Sequence, residues 1–336
     1  MENSASIIIV TFNHQKYLGP CIKSLEIQDY PHEIIIVDNG STDGTSEYIE
    51  NAFPAIRLIR NTNTGFGAGN NLAVKNASGE IVVFLNPDTI VKENWLRNLI
   101  EPIKVNPPAI TTPKILIYDG SAINTCGNIN HITGLTFTRG LLESPQSHNR
   151  QEEVSGISGA CFAMRREEYI HMGGFDERFF LYNEDSEFSW RAHIFRISII
   201  YVPSSIVRHD YSLNVSPQKM YNLEKGRYLI LKTYFSWKMA AILAPSLFLS
   251  EILTLGYAAR FGRAGIAFKV RAFYEGMILT GSSQHRNGAG VLDYLETQIP
   301  SDQLVSNHIE RSAVRICNRV FSWNYKIFRK LYPKNE

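Results

Sequence analysis

An α/β fold with a mostly parallel central sheet is predicted by three features of the chain. Short runs of β-branched apolar residues alternate with helix-period segments, the order of a parallel sheet covered on both faces. Each run ends in polar residues, and in open α/β sheets ligands sit beyond the carboxyl ends of the strands. From Pro217 onward the pattern turns helical.

Residues 6–10 (SIIIV) form a continuous apolar run that ends in Thr11-Phe12-Asn13 and reads as a buried strand. Residues 17–28 follow with Leu18, Ile22 and Leu25 at helical spacing. Residues 33–37 (EIIIV) give a second strand, closed by Asp38-Asn39-Gly40-Ser41. A helix is expected over 42–51 with Ser41 or Thr42 as its cap. A third short strand covers 56–59, and 65–77 is a glycine-rich entry into a helix. Residues 81–85 (IVVFL) make a fourth strand, ending at Asn86-Pro87-Asp88. Farther on, Gly159-Ala160 leads into a strand (CFAM) and 167–172 into a short helix ended by Gly173-Gly174. Residues 175–182 are aromatic and irregular, and 184–194 form a helix with acids in its first turn, as the helix dipole favours. A strand over 197–202 precedes His209.

The 336 residues suit one large domain and a smaller appendage, since a domain holds ~100–200 residues. An apolar fraction of 44% and a charged fraction of 20% are ordinary for a globular protein. Net charge is +2 but uneven: 17 Lys and Arg stand against 24 Asp and Glu up to Ser212, and 17 against 8 beyond it. The acidic part suits a divalent metal and the basic part an anionic surface. Cys21, Cys126, Cys161 and Cys317 lie too far apart for a zinc motif or redox pair, so a reduced compartment is expected. No secretory leader is expected either, because the apolar run 7–10 is short and no cation precedes it.

Asp88, directly after a buried strand, reads either as a turn residue or as a hard oxygen ligand for Mg²⁺ or Mn²⁺. Asp38 reads as a turn residue or as an acceptor for a base or ribose. The Gly65-Phe66-Gly67-Ala68-Gly69 run could let backbone approach a diphosphate. Position 70 is Asn and the run follows the third strand, so a nicotinamide-binding motif is not expected. Glu184 and Asp185 are either helix-start acids or a pair holding a general base. His209 is a structural residue or a metal ligand.

IVTFN, VDNGSTDGT, NTGFGAGNN, FLNPDT, SGACFAMRR and GGFDERFFLYNEDSEFSWR occur in order, followed by Arg208-His209. Together they resemble the family 2 glycosyltransferases, over about residues 6–212. Asn-Pro-Asp and the Gly-Phe-Gly loop look like the rhamnosyltransferase-like branch. The resemblance implies the GT-A nucleotide-sugar fold and a C-terminal helical region. It implies a catalytic domain over 1–212, with a donor half to about 110 and an acceptor half beyond, and a basic helical region over 213–336. Thr11, Asn13, Asp38, Asn39, Gly67, Asn70, Asn71 and Asn86 would contact the donor. Asp88 would bind Mg²⁺ or Mn²⁺ with His209 as second ligand, and Asp185, beside Glu184, would be the base. Asn86 stands where the family's Asp-x-Asp motif has its first acid. The implied reaction inverts the anomeric carbon, moving a sugar from dTDP-rhamnose or a UDP-sugar to an acceptor hydroxyl on a saccharide or lipid-linked saccharide.

The competing readings are a nucleotidyltransferase and a degenerate sugar-nucleotide-binding module. The first would carry a basic glycine-rich loop after strand one, where Thr11-Phe12-Asn13-His14 stands; the second would have lost Asp88 or Asp185. No nucleic-acid motif accompanies the basic tail, so no nucleic-acid partner is expected. Residues 239–259 are apolar enough to consider as a span of ~20 residues, but Pro245 and Glu251 oppose one. Ile316, Val320, Trp323, Ile327 and Leu331 share a helical face flanked by Arg315, Arg319, Lys326, Arg329, Lys330 and Lys334. That helix either docks on a core or lies on an anionic lipid surface. A cytoplasmic protein, peripheral on the inner face of the membrane, is the expectation.

Overall fold

The computed structural model describes residues 4–211, 215–279, 288–300, 303 and 308–333. The chain divides into two compact units, Met1–Asn128 with Thr138–Ser212, and Ile129–Phe137 with Leu213–Glu336. The boundary expected at 212/213 and Lys334 lie outside the described residues.

The strands are β1 (Ala5–Thr11), β2 (His32–Asp38), β3 (Arg57–Arg60), β4 (Ile81–Leu85), β5 (Thr89–Val91), β6 (Ala109–Ile117), β7 (Ile123–Thr125), β8 (Asn128–Asn130), β9 (Thr136–Thr138), β10 (Glu152–Glu153), β11 (Cys161–Arg165) and β12 (Ser198–His209). The large sheet runs β10-β12-β6-β11-β4-β1-β2-β3, with β5 on β12 and β7 on β6. β1 is parallel to β2 and β4, β2 to β3, and β6 to β12. β11 is antiparallel to both β4 and β6, so all six strands of those parallel pairs run one way and β11 is reversed between them.

The helices of the first unit are α1 (Gln15–Glu26), α2 (Thr45–Ala52), α3 (Phe66–Lys75), α4 (Trp95–Val105), α5 (Arg166–Met172) and α6 (Glu184–Ile194). Both faces of the sheet are covered, which accounts for the unbroken apolar runs. Ile7, Ile9 and Val83 pack in one core with Leu18, Ile22 and Leu25 of α1 and Trp95, Leu99 and Ile103 of α4. Ile8, Val10 and Phe84 point the other way, into a core with Ala73 and Val74 of α3 and Phe188 of α6. Each fully buried aliphatic side chain contributes roughly 1.5–3 kcal/mol.

Two expectations are corrected here. The strand over 197–202 is one long β12 that reaches His209, its pairing with β6 irregular between Val202 and Ile206. Helix α2 begins at Thr45, not Thr42, with Gly44 at its cap in a left-handed conformation (φ 85°). Asp43 accepts from the Thr45 N–H at 3.1 Å, while Ser41 and Thr42 turn toward Asn13 instead.

The second unit carries α7 (Pro217–Tyr234), α8 (Trp237–Ile242), α9 (Ala244–Ala259), α10 (Gly262–Tyr274) and α11 (His308–Leu331). The apolar stretch 239–259 is thus broken at Leu243, with Pro245 in the first turn of α9, where its missing N–H costs nothing. Among the described residues no helix is long and apolar enough to cross a membrane. Glu251 pairs with Arg227 and, at 2.8 Å, with Lys269. Burial works against its charge, but these cations outweigh it and hold the carboxyl down at about 2. Helix α11 packs through Val314, Cys317, Phe321, Asn324 and Phe328, all buried. The stripe expected to be its apolar face points outward, with Ile316, Trp323 and Leu331 exposed.

Candidate active site

The carboxyl ends of β1, β2 and β4 gather most of the polar residues singled out in the sequence. Thr11 lies opposite Asp38 in register, and the Asn39 N–H donates to the Thr11 carbonyl at 2.9 Å. Asp38 accepts from the Ser41 N–H at 2.9 Å and from the Ser46 hydroxyl, so it first of all shapes its own loop. Asn13, exposed and left-handed (φ 59°), accepts from the Thr42 N–H at 2.8 Å and donates its own N–H to the Ser41 hydroxyl at 2.8 Å. These bonds splice the first two strand ends into one rim. The buried Thr11 hydroxyl has no hydrogen-bond partner among the described residues.

The glycine run is explained by packing, and the opening for a diphosphate read from it is corrected. A Cβ on Gly65 would meet the Phe180 carbonyl at 2.6 Å, one on Gly67 the Phe175 Cβ at 2.9 Å, and one on Gly69 Val10 at 2.8 Å. Gly67 therefore faces the aromatic loop rather than open space. Asn70 is buried and donates to the Phe66 carbonyl at 2.9 Å. Asn71 uses its whole amide within the protein. Its Nδ2 donates to the Phe175 carbonyl at 3.0 Å and to Glu177 at 2.9 Å, while its Oδ1 accepts from the Tyr169 hydroxyl at 2.6 Å and the Phe175 N–H at 2.9 Å. With two donors and two lone pairs engaged, Asn71 has nothing left for a ligand. It pins the aromatic loop to α3.

Asn86, Asp88 and His209 are brought together by pairing: His209 of β12 lies opposite Thr89 of β5, so Asp88 falls beside the ring. Asp88 Oδ1 is 3.3 Å from His209 Nε2, and Asn86 Nδ2 is 3.4 Å from the same nitrogen. His209 Nδ1 is 3.2 Å from Asn124 Oδ1, where it donates, and Nε2 is turned toward Asp88 and Asn86. Asp88 and the ring thus face each other with the Asn86 amide beside them, and no group of three His, Cys, Asp or Glu that could hold a metal ion stands among the described residues. Burial alone would raise the Asp88 carboxyl, but the His209 ring beside it holds it below the usual range. His14 completes this corner. Burial lowers its pKa, against the pull of the Asp88 charge, so it is neutral at pH 7.

The acid pair opens α6, behind Tyr182 and Asn183, both left-handed (φ 71° and 65°). Asp185 Oδ2 accepts from the Gly159 N–H at 3.0 Å and Asn128 Nδ2 at 3.1 Å, and Oδ1 from the Ser186 N–H at 2.8 Å. The Asn86 N–H donates at 2.9 Å to the carbonyl of Ala160, the next residue after Gly159. Asp185 and the β4 end thus meet consecutive residues of one turn. Burial raises both acids, Glu184 to about 8, where the charge of Asp185 adds to the effect. Three donors favour the charge on Asp185, whereas the buried Glu184 Oε2 has no partner among the described residues. Glu184 is therefore the protonated member at neutral pH.

That assignment has a thermodynamic signature. From its ordinary 4.5 up to about 8, the folded chain holds a proton on Glu184 that the unfolded chain has lost. Stability from this site is full at low pH and is lost as pH rises through that window. Glu184→Gln, which keeps the neutral shape, is expected to match the wild type near pH 5 and to melt above it near pH 8. Thermal unfolding across that range checks this; a melting difference that does not change with pH would place the proton elsewhere.

His14, Asn124, Asn128 and Gly159 were not singled out as site residues by sequence reasoning. His14 was within reach, since it follows a strand-end motif directly. Asn124 lies within β7 and Asn128 opens β8, strands of three residues with no pattern that marks them.

Comparison with known proteins gives the family and the fold. The family described as glycosyl transferase family 2 matches residues 6–173, half of the chain. The N-acetylglucosaminyl-diphospho-decaprenol L-rhamnosyltransferase of Mycobacterium tuberculosis is 27% identical over 236 residues, 62% of this chain and 76% of that protein. Rhamnosyltransferase WbbL of Escherichia coli K12 is 24% identical over 215 residues, 59% of this chain and 80% of the other. The crystal structure of GalNAc-T7 with UDP, GalNAc and Mn²⁺ superposes with a TM-score of 0.59 at 18% identity, covering 82% of this chain and 56% of that one. The fold is that of the GT-A transferases, and the chain belongs to glycosyl transferase family 2, a glycosyltransferase with rhamnosyltransferases among its relatives.

Proposed function

We propose that the chain transfers a sugar, with inversion, from a pyrimidine nucleotide donor to a hydroxyl of a lipid-linked saccharide. The observation that carries this is Asp185, which accepts from three donors on a turn that also grips the end of β4. A single positioned carboxylate suits direct displacement. Asp185 takes the proton of the acceptor hydroxyl, the oxygen bonds to the anomeric carbon, and the nucleoside diphosphate departs with the electron pair. Thr11, Asn13, Asp38 and Asn39 form the nucleoside rim, while Asn71 and Gly67 hold the loop before Asp185 and Asn70 bonds back to Phe66 within α3. Asp88 and the Nε2 of His209 fit a divalent cation, Mn²⁺ or Mg²⁺, with Asn124 fixing the ring. Such an ion would offset charge on the departing diphosphate.

The donor is dTDP-rhamnose by first choice and a UDP-sugar by second, supported by the two rhamnosyltransferase relatives. A lipid-linked acceptor, as named for the mycobacterial relative, gives the outward stripe of α11 a purpose at an anionic membrane. On this reading the protein works peripherally on the cytoplasmic face, in surface polysaccharide or glycolipid synthesis. Calorimetry against dTDP, UDP and GDP is expected to rank dTDP first and GDP last. Transfer from dTDP-rhamnose to polyprenyl-diphosphate-linked N-acetylglucosamine then tests the reaction. Preference for GDP, or no transfer from any pyrimidine donor, overturns this reading.

A further inference from the structure

Helices α9 and α10 are built inside out. On α9, Phe248, Ile252 and Leu255 recur at i, i+4 and i+7 and are 47–69% exposed. On α10, Ile266, Val270 and Phe273 repeat the same spacing and are 42–62% exposed. The polar residues lie on the inner side. Ser246, Ser250 and Lys269 are buried. The Ser246 hydroxyl bonds Asn324 at 2.6 Å, and Lys269 Nζ donates to the Thr254 hydroxyl at 2.6 Å and to Tyr228 at 2.9 Å. A helix that faces water shows the reverse arrangement.

Charge selects the occupant. Only two acids lie between residues 244 and 278, and both are paired: Glu251 with Arg227 and Lys269, Glu275 with Arg271. The exposed ionic groups of the pair are Arg260, Arg263 and Arg271, all cations. An apolar face rimmed by cations alone complements an anionic bilayer, whereas a second copy would bring the same cations against them. Length and charge also decide the pose. The 16 residues of α9 extend ~24 Å at 1.5 Å each, short of a ~30 Å hydrocarbon core. Arg260, between the helices, and Arg263, in the first turn of α10, would be costly at depth, so a flat pose with the arginines reaching the headgroups is favoured.

We infer that the α9–α10 hairpin is an in-plane membrane-docking element that seats its exposed apolar face in an anionic lipid surface. This deepens the membrane part of the proposed function and moves the main contact from α11 to the hairpin. Full-length protein is mixed with phosphatidylglycerol-containing or pure phosphatidylcholine vesicles and floated. The expected result is binding to the first, with partition reduced ~10-fold or more by the triple replacement Phe248→Ser, Ile252→Ser and Val270→Ser. Arg260→Glu with Arg263→Glu should abolish the preference for anionic vesicles. These side chains are exposed, and unchanged thermal unfolding verifies the fold. Ile316→Ser with Trp323→Ser on α11 forms the second arm. Loss of binding there but not in the hairpin variants overturns the hairpin and leaves the membrane reading intact. No binding of wild type to either vesicle overturns both. A vesicle-free dimer that the triple replacement dissociates also overturns the inference, in favour of a second copy.

Discussion

Replacing Asp185 by Asn is expected to lower transfer ~10²–10⁴-fold, the contribution of a positioned general base. Donor affinity should remain nearly unchanged, because a base that acts on the acceptor proton has no part in holding the donor. The substitution also has a structural cost. An amide nitrogen cannot accept, so either the Ser186 N–H or the pair from Gly159 and Asn128 loses a partner. Turning the nitrogen toward Ser186 sacrifices one bond rather than two, and calorimetry with donor separates lost chemistry from lost shape. Wild-type turnover in this variant would remove Asp185 as the base. Glu184 is a poor replacement, since burial and its neighbour keep it protonated near neutral pH.

The second large effect concerns the Asp88–His209 corner. Chelation is expected to abolish transfer, and Mn²⁺ or Mg²⁺ to restore it. Asp88→Ala should weaken metal-dependent donor binding by ~10-fold at least, given that even residues behind a ligand matter to that extent. His209→Ala should act in the same way, and Asn124→Ala should act through the orientation of the ring. Calorimetry of nucleoside diphosphate with and without Mn²⁺ provides a readout independent of turnover. Full activity in chelator would mean that a proton, not a metal, joins Asp88 to His209. Asn86, in place of a second carboxylate, leaves the corner with a single acid and makes the donor's phosphates the natural remaining ligands.

The donor side of the fold was legible because its strands are buried on both faces. β4 is read to the residue, and β1 and β2 to within one, since runs such as SIIIV and IVVFL admit few other structures. The same logic failed over 89–151. There β5, β7, β8 and β9 are three residues each, too short for any period to declare itself. Helix α4 is different: Trp95, Leu96, Leu99, Ile100 and Ile103 have a plain helical spacing that went unread. At the site, Asp88, His209 and Asp185 could be named as chemistry, but their shared geometry depends on strand register and on Asn124, Asn128 and Gly159. Those partners have no local signature. Polar residues read as ligand contacts proved in the case of Asn71 to be wiring. On α11 two apolar stripes coexist, and sequence periodicity alone gave no means of choosing the buried one.

The amide of Asn71 also separates what can vary from what cannot. Its four bonds fix the inner end of the aromatic loop at Tyr169, Phe175 and Glu177, and no other side chain of that length supplies two donors and two acceptors. Phe180 and Leu181, at the outer end of the same loop, are exposed. The loop is therefore a fixed hinge-post with a replaceable tip. Changes to the exposed Phe180 and Leu181 side chains leave the four Asn71 bonds, and with them the inner end of the loop before the acid pair, in place.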